Sequence, residues 1–387
     1  MRKLKIAVIG TTGLPAKYGG FETLAHHLVN HLNGEHDMTV YCSSKYFAVK
    51  QERLRKFNGA TLIYLPFNAN GYQSIIYDAV SILHALLYAD VLLILGTSGT
   101  ILLPLVKMIS SKPIIINIDG QEWKRPKWGR FAKKFLRLSE KIAVRFADTI
   151  ISDNRVIQNY VTKEYKKKSV LIEYGADHVS KQPITDAVIA KYPFLASPYA
   201  FNVCRIEPEN NIHLLLDSFA HHPFWNIVVV GLWDHGKYGI LLKEKYQGYS
   251  NIHLLDPIYD QNELNILRSN ADLYVHGHSA GGTNPSLVEA MYLGLPIMAF
   301  DVAYNRETTS HRALYFHNQE ALIHLLNVTG KSKLEEIGKL MHEAANKRYL
   351  WKHIANQYET ELLKLCKVTV PETNNTVYAA LKKELAK

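Results

Sequence analysis

The chain has 387 residues, 47% of them hydrophobic and 21% charged, a balance that excludes a disordered polymer and a length too great for one core. Its formal net charge of +10 favours an anionic partner, whether nucleic acid, membrane surface or phosphorylated ligand. Three cysteines, Cys42, Cys204 and Cys366, are odd in number and scattered, which excludes disulfide and metal spacing and fits a reducing cytoplasm.

Met1-Arg2-Lys3-Leu4-Lys5 has the basic start of a secretion signal, but the apolar run Ile6 to Ile9 has a strand's length and stops at Gly10. A glycine-rich turn follows, then a helical pattern from about Gly20 to Leu32. Buried strands are predicted at Met38–Cys42, Thr61–Leu65, Val91–Leu95, Ile114–Ile118, Thr149–Ser152 and Val170–Ile172. The apolar region Ile75 to Leu95 is interrupted by Asp78, His84 and Asp90, which argues against a membrane span. Lys181 to Pro198 carries three prolines and reads as a linker. A second series follows at Tyr199–Cys204, Ile227–Val230, Ile252–Leu255, Leu273–Val275, Ile297–Ala299 and Leu314–Phe316, and from about Lys331 the chain is helical. Strands separated by helices form parallel sheets covered on both faces. The expectation is an α/β chain of two doubly wound, Rossmann-like domains facing a cleft, over residues 1–180 and 181–355. A helical segment over 356–387 packs back toward the first domain.

Several motifs bear on chemistry. Gly281-Gly282-Thr283-Asn284-Pro285-Ser286-Leu287-Val288-Glu289 is a glycine-rich loop entering a helix, with Asn284 as its cap and Pro285 at its first position. Such a terminus binds anions through free backbone N–H groups, with Glu289 one turn further in to reach sugar hydroxyls. Arg205 stands at the carboxyl end of a strand, where open α/β sheets place ligands, and could grip a diphosphate or pair with Glu207 or Glu209. Gly10-Thr11-Thr12-Gly13 superficially fits a dinucleotide loop, and Tyr46-Phe47-Ala48-Val49-Lys50 supplies the Tyr–Lys pair of short-chain dehydrogenases. Cys42-Ser43-Ser44 nevertheless lacks the acidic residue that would hold a ribose. The longer loop Gly13 to Glu22 suits a polyol or phosphate at a cleft. Lastly, Trp123 to Leu138 interleaves basic and aromatic residues, with Phe131, Phe135 and Leu138 on one helical stripe flanked by Arg130, Lys133, Lys134 and Arg137. This is either a membrane-surface helix or a core helix with a solvated charged face, and no reading module for nucleic acid accompanies it.

The strand ending in Arg205-Ile206-Glu207-Pro208-Glu209-Asn210-Asn211, together with Gly281-Gly282, Pro285 to Met291 and Gly294-Leu295-Pro296, resembles the retaining GT-B glycosyltransferases of family 4. Gly13 to Glu22 and Asp119-Gly120-Gln121-Glu122-Trp123-Lys124-Arg125 resemble the subgroup with bacterial β-1,4-rhamnosyltransferases of capsule and cell-wall polysaccharide assembly. The resemblance implies that Arg205 holds the donor diphosphate. Backbone amides around Gly282, Thr283 and Asn284 would take the distal phosphate, and Glu289 the ribose. Gly19 and Gly20 would shape the amino-domain wall, and Asp119 or Glu122 would touch the sugar or acceptor hydroxyl. Two positions depart from the family: Gly281 replaces a Glu, which fits a donor such as L-rhamnose, and Asn210 replaces a Lys beside the diphosphate. Arg306 or Lys124 could compensate.

The implied substrates are dTDP-L-rhamnose, or alternatively a uridine-diphosphate hexose, and a polyprenyl-diphosphate-linked saccharide, with neither metal nor cofactor. Trp123, Lys124, Arg125, Lys133, Lys134 and Arg137 would face the acceptor and an anionic membrane, placing the protein in the cytoplasm at the inner face of the cell membrane. A nicotinamide-dependent dehydrogenase or epimerase, and a non-catalytic binding protein of the same shape, are the readings from other classes.

Overall fold

The computed structural model describes residues 2–17, 19–118, 120–125 and 128–368. In the amino-terminal half, short β-branched runs form β1 (Lys5–Ile9), β2 (Asp37–Ser43), β3 (Lys56–Phe57), β4 (Ala60–Leu65), β5 (Val91–Leu95), β6 (Ile114–Ile118), β7 (Thr149–Ser152) and β8 (Val170–Leu171). Between them lie α1 (Gly20–Leu32), α2 (Gln73–Ala85), α3 (Leu103–Ile109), α4 (Arg130–Phe146) and α5 (Arg155–Tyr165). The sheet order is β3-β4-β2-β1-β5-β6-β7-β8. Every pair is parallel except β3 with β4. Strand β3 is absent from the sequence reading, although Asn58-Gly59 is the two-residue hairpin signal that announces it, with φ of 43° and 90°.

The linker expected over Lys181 to Pro198 is partly regular, holding α6 (Asp186–Lys191) and a tight turn at Pro193–Ala196. The second half alternates β9 (Tyr199–Val203), α7 (Ile212–Ala220), β10 (Asn226–Val230), α8 (Lys237–Tyr246), β11 (Ile252–Leu255), α9 (Gln261–Ser269), β12 (Leu273–His276), α10 (Pro285–Tyr292), β13 (Ile297–Phe300), α11 (Ala303–Thr308), β14 (Leu314–Phe316) and α12 (Gln319–Val328). Its order, β11-β10-β9-β12-β13-β14, is wholly parallel. The order reverses beside β1 in the first sheet and β9 in the second, so each sheet offers a crevice beyond those strands' carboxyl ends.

Two helices close the described chain. Helix α13 (Lys331–Arg348) packs on α10, while α14 (Trp351–Leu365) returns to pack on α1. The return thus starts at Trp351 rather than at residue 356, and residues 369–387 lie outside the described residues. Polar contacts anchor α14 to the first domain: Asn117 Nδ2 donates to Tyr358 Oη at 2.7 Å, and His36 Nε2 lies 3.1 Å from Glu359 Oε1. Arg348 joins the halves, its Nη2 lying 2.6 Å from Glu173 and 3.1 Å from Glu307. One buried apolar cluster runs from β1 and α1 through Trp351 and Tyr358 to β9 and β12.

Candidate active site

Helix α10 begins as its sequence dictates. Asn284 Oδ1 accepts from Ser286 N at 3.0 Å, and Pro285 occupies the first turn. Gly281 has φ +133°, a backbone conformation that side-chain-bearing residues rarely adopt. The amides of Gly281, Gly282, Thr283 and Asn284 donate to no acceptor among the described residues. Opposite this loop stands the first domain. A Cβ on Gly120 would lie 2.5 Å from the Gly281 carbonyl carbon, and one on Gly282 would lie 2.1 Å from Asp153 Oδ1. A Cβ on Gly20 would lie 3.6 Å from Pro285 Cγ, an ordinary contact. Thr283 is buried, with Oγ1 donating to the Asp153 carbonyl at 2.5 Å and accepting from Asn154 Nδ2 at 3.3 Å. Its hydroxyl is therefore committed to the domain contact, leaving only its backbone N–H for a ligand.

Arg205 lies two residues beyond the end of β9, is exposed, and forms no ion pair among the described residues, so neither Glu207 nor Glu209 neutralises it. Asn210 departs from its expected role as a direct ligand. It is buried, and its Nδ2 donates to the Arg205 carbonyl at 2.6 Å, so the short amide holds the loop that carries Arg205. Ser279 ties the neighbouring loop to the Glu209 carbonyl through both N and Oγ at 2.9 Å. Burial, reinforced by Glu207, pushes the Glu209 carboxyl up.

Glu289 is more heavily engaged than the sequence suggests. Its Oε2 pairs with the buried Arg268 guanidinium, and its Oε1 lies 3.1 Å from His178 Nε2. Trp351 Nε1 donates to His178 Nδ1 at 3.0 Å; an indole N–H can only donate, so His178 Nε2 carries the proton given to Glu289. Burial alone would raise this carboxyl, but Arg268 and His178 overcome it and hold it down to about 2. A ribose hydroxyl would have to share a carboxylate that already has two partners. Sequence reasoning missed His178, Arg268, Asp153 and Asn154, which lie far from their partners in the chain.

On the opposite wall, Gly19 sits against the Glu22 carboxylate, whose Oε1 accepts from Thr12 N at 2.7 Å. Burial raises the Glu22 carboxyl against the lowering pull of Thr12 and Arg205. Glu122 engages both oxygens, at 2.6 Å from Arg125 Nε and 2.9 Å from Trp128 Nε1. Asp119 lies outside the described residues.

The expected membrane set divides. Arg125 is buried in the cleft beside Glu122 and 3.7 Å from Glu209, so it cannot face a membrane. Trp123 is half-buried with Arg137 5.1 Å from its ring centroid and Lys124 at 5.4 Å. Lys133 is half-buried, Lys134 and Arg137 are exposed, and Arg137 pairs with Glu164 at 2.9 Å. Arg306 grips Asp301 at 2.6 and 2.8 Å and lies over Tyr315, so it is occupied elsewhere. Lys124 likewise has a partner of its own in the Trp123 ring.

A cavity of about 970 Å³ opens elsewhere, at the amino edge of the second sheet among Pro198, Trp225, Asp272 and Pro296. Parallel sheets bind ligands at the opposite, carboxyl edge, and there Arg205 and the four unoccupied amides lie on the loops that follow neighbouring strands β9 and β12. The interdomain cleft is accordingly the candidate site.

Comparison with known proteins identifies the fold. Residues 3–177 match a domain of unknown function, DUF1972, and residues 188–344 match glycosyl transferases group 1. No curated protein sequence matches the chain. Among solved structures, sucrose-phosphate synthase from Thermosynechococcus elongatus is 16% identical, covering 94% of this chain and 99% of its own with a TM-score of 0.79. HepE from Anabaena in complex with UDP is 15% identical over 94% and 100%, with a TM-score of 0.70. The catalytic domain of starch synthase IV from Arabidopsis thaliana, bound to ADP and acarbose, is 13% identical over 95% and 100%, with a TM-score of 0.69. The chain therefore has the GT-B fold, and residues 188–344 are similar to glycosyl transferases group 1.

Proposed function

We propose that the protein is a retaining glycosyltransferase that moves L-rhamnose from dTDP-L-rhamnose to a lipid-linked saccharide during polysaccharide assembly. The observation that carries transfer from a nucleotide sugar is the pairing of exposed Arg205, after β9, with four unoccupied amides leading into a helix N-terminus, after the neighbouring strand β12. In this reading Arg205 and the amides neutralise the departing diphosphate. The bond from the anomeric carbon to the diphosphate oxygen breaks, and the acceptor oxygen bonds to the same face of that carbon. The leaving diphosphate takes the acceptor's proton, so no protein nucleophile, metal or cofactor is required. The two domains hold both substrates in register. The sugar assignment rests on the likeness of residues 13–22 and 119–125 to the rhamnosyltransferase subgroup, and on Gly281 where a glutamate would contact other sugars. A uridine-diphosphate hexose is the second reading, favoured by the likeness to HepE, whose structure holds UDP.

The membrane reading has support in α4. Its buried residues are Ser139, Glu140, Ala143 and Val144. Phe131 is 90% exposed and Leu138 50%, on a face that also carries exposed Lys134, Arg137, Lys141 and Arg145. On neighbouring α3, Met108 is 82% exposed and Ile109 62%. An apolar patch ringed by cations suits the surface of anionic lipid. Among the described residues no helix is long and apolar enough to cross a membrane.

A donor screen tests the proposal, offering the purified protein dTDP-L-rhamnose, uridine-diphosphate sugars and guanosine-diphosphate sugars with a GlcNAc-diphosphate-lipid acceptor and reading products by mass spectrometry. Product from dTDP-L-rhamnose alone is expected. Product from a uridine-diphosphate sugar would overturn the sugar and keep the reaction, while failure to bind any nucleotide sugar would overturn both. For the membrane, Lys134→Gln with Arg137→Gln and Lys141→Gln should weaken binding to anionic vesicles by up to about 1 kcal/mol per cation; unchanged sedimentation would overturn it.

A further inference from the structure

Strands β9 and β12 are neighbours, with Leu273 paired to Ala200 and Tyr274 to Phe201. Continuing that register places His278 level with Arg205, each just past the carboxyl end of its strand. The two loops are fastened together. Asn211 Nδ2 donates to the Gly277 carbonyl at 2.8 Å, Ser279 donates twice to the Glu209 carbonyl, and Asn305 Nδ2 donates to the His278 carbonyl at 2.9 Å. His278 is thus carried on a backbone held from three sides.

Its ring is held as well. His276 is fully buried, and His278 stacks on it with centroids 4.3 Å apart and planes within 4°. Neither nitrogen of His276 has a hydrogen-bond partner, and the Nδ1 of His278 is likewise buried without one. With Nδ1 closed off, His278 Nε2 is the nitrogen of this pair left open to a ligand on the partly exposed ring. Burial, stacked His276, and the guanidinium groups of Arg205 and Arg125 all favour the neutral ring. A neutral imidazole still donates one N–H, and it stands here with two cationic groups and no carboxylate hydrogen bond of its own.

We propose that His278 is a ligand of the donor's diphosphate, holding its distal phosphate together with Arg205, while His276 fixes the plane of the ring. This rests on the nucleotide-sugar reading above and assigns the contact that Asn210, turned back onto the Arg205 carbonyl, cannot make. It also explains why Arg306 and Lys124 can be engaged elsewhere.

The test is titration calorimetry of the full chain with UDP against UMP and dTDP against dTMP, with inorganic pyrophosphate as a base-independent competitor. His278→Ala should weaken diphosphate binding roughly tenfold to a hundredfold, as for a lost hydrogen bond to a charged group. Monophosphate binding should change far less, so the preference for diphosphate over monophosphate should shrink. His278→Gln and His278→Asn each restore an N–H near one ring position, and one should recover part of the preference. They also supply the comparison if the alanine variant fails to fold. An unchanged preference in all three variants would overturn the assignment of His278 alone. A wild-type protein that binds no nucleoside diphosphate and no pyrophosphate would overturn the nucleotide-sugar reading with it.

Discussion

Both halves of the molecule carry a glycine-marked loop at the carboxyl edge of a parallel sheet, yet side chains of the same half reach the amides of only one of them. In the amino-terminal loop two amides are taken by side chains of the same half: Thr12 N is held by Glu22, and Ala16 N by His26 Nδ1 at 3.4 Å. In the carboxyl-terminal loop the amides from Gly281 to Asn284 are unoccupied, and a Cβ at Gly281 would meet nothing within 4 Å. Glycine spacing alone cannot separate the two cases. An anion site needs amides that the protein has left unoccupied, and a carboxylate ten residues along can occupy them first.

The contrast can be broken most severely at Arg205. Arg205→Ala should lower kcat/KM by about 10²–10³ through loss of one preorganised charge contact, with the thermal midpoint unchanged. Near-normal transfer would show that the open loop is not a phosphate site. Gly282→Ala should come next. Its new Cβ would fall 2.1 Å from Asp153 Oδ1, so overpacking should cost about 1–3 kcal/mol in urea unfolding. An unaltered midpoint would mean that the two domains do not meet there in solution.

The amino-terminal loop gives a counterpart. Glu22→Gln keeps an oxygen for Thr12 N and should leave UDP and dTDP affinity alone. Glu22→Ala strands that amide, at about 1–3 kcal/mol of stability. A loss of nucleotide affinity in the glutamine variant would show that the amino loop, too, holds the donor.

The smallest effect is in pH, where the two glutamates have opposite signs. Glu289 is held at about 2, below the ordinary 4.5; the stability it contributes is present above about 4.5 and lost as pH falls toward 2. Glu22 is raised, so its contribution is present below 4.5 and lost as pH rises through its folded value. Urea midpoints across pH 2.5–8 should show Glu289→Gln flattening the limb below pH 4.5 and Glu22→Gln the limb above it. Identical profiles for the two variants would remove the distinction.

Much of the fold was legible because its strands are short β-branched runs between helical patterns, as at Val91–Leu95 and Ile114–Ile118. The two-residue β3 was overlooked because it has too few residues for periodicity, although Asn58-Gly59 carried the signal. Arg205 and the α10 cap were legible because local chemistry decides them. The Asp153 and Asn154 contacts to Thr283 were not, because they join residues far apart in the chain that meet only when both sheets exist. His278 stood in plain view in Val275-His276-Gly277-His278. It was passed over because strand register, which sets it beside Arg205, is not written in the run itself.

The loop from Gly281 to Asn284 is seated on Gly120, Asp153 and Asn154, all from the other domain. Its shape is therefore shared property of two halves that sequence models recognise separately. Exchanging one half for that of a distant relative would carry over the helix, the cap and Arg205, but not the surface that moulds the loop between them. Modular recombination, a common route to new specificity in two-domain proteins, is thereby restricted, and change at this cleft has to come as matched substitutions on both sides.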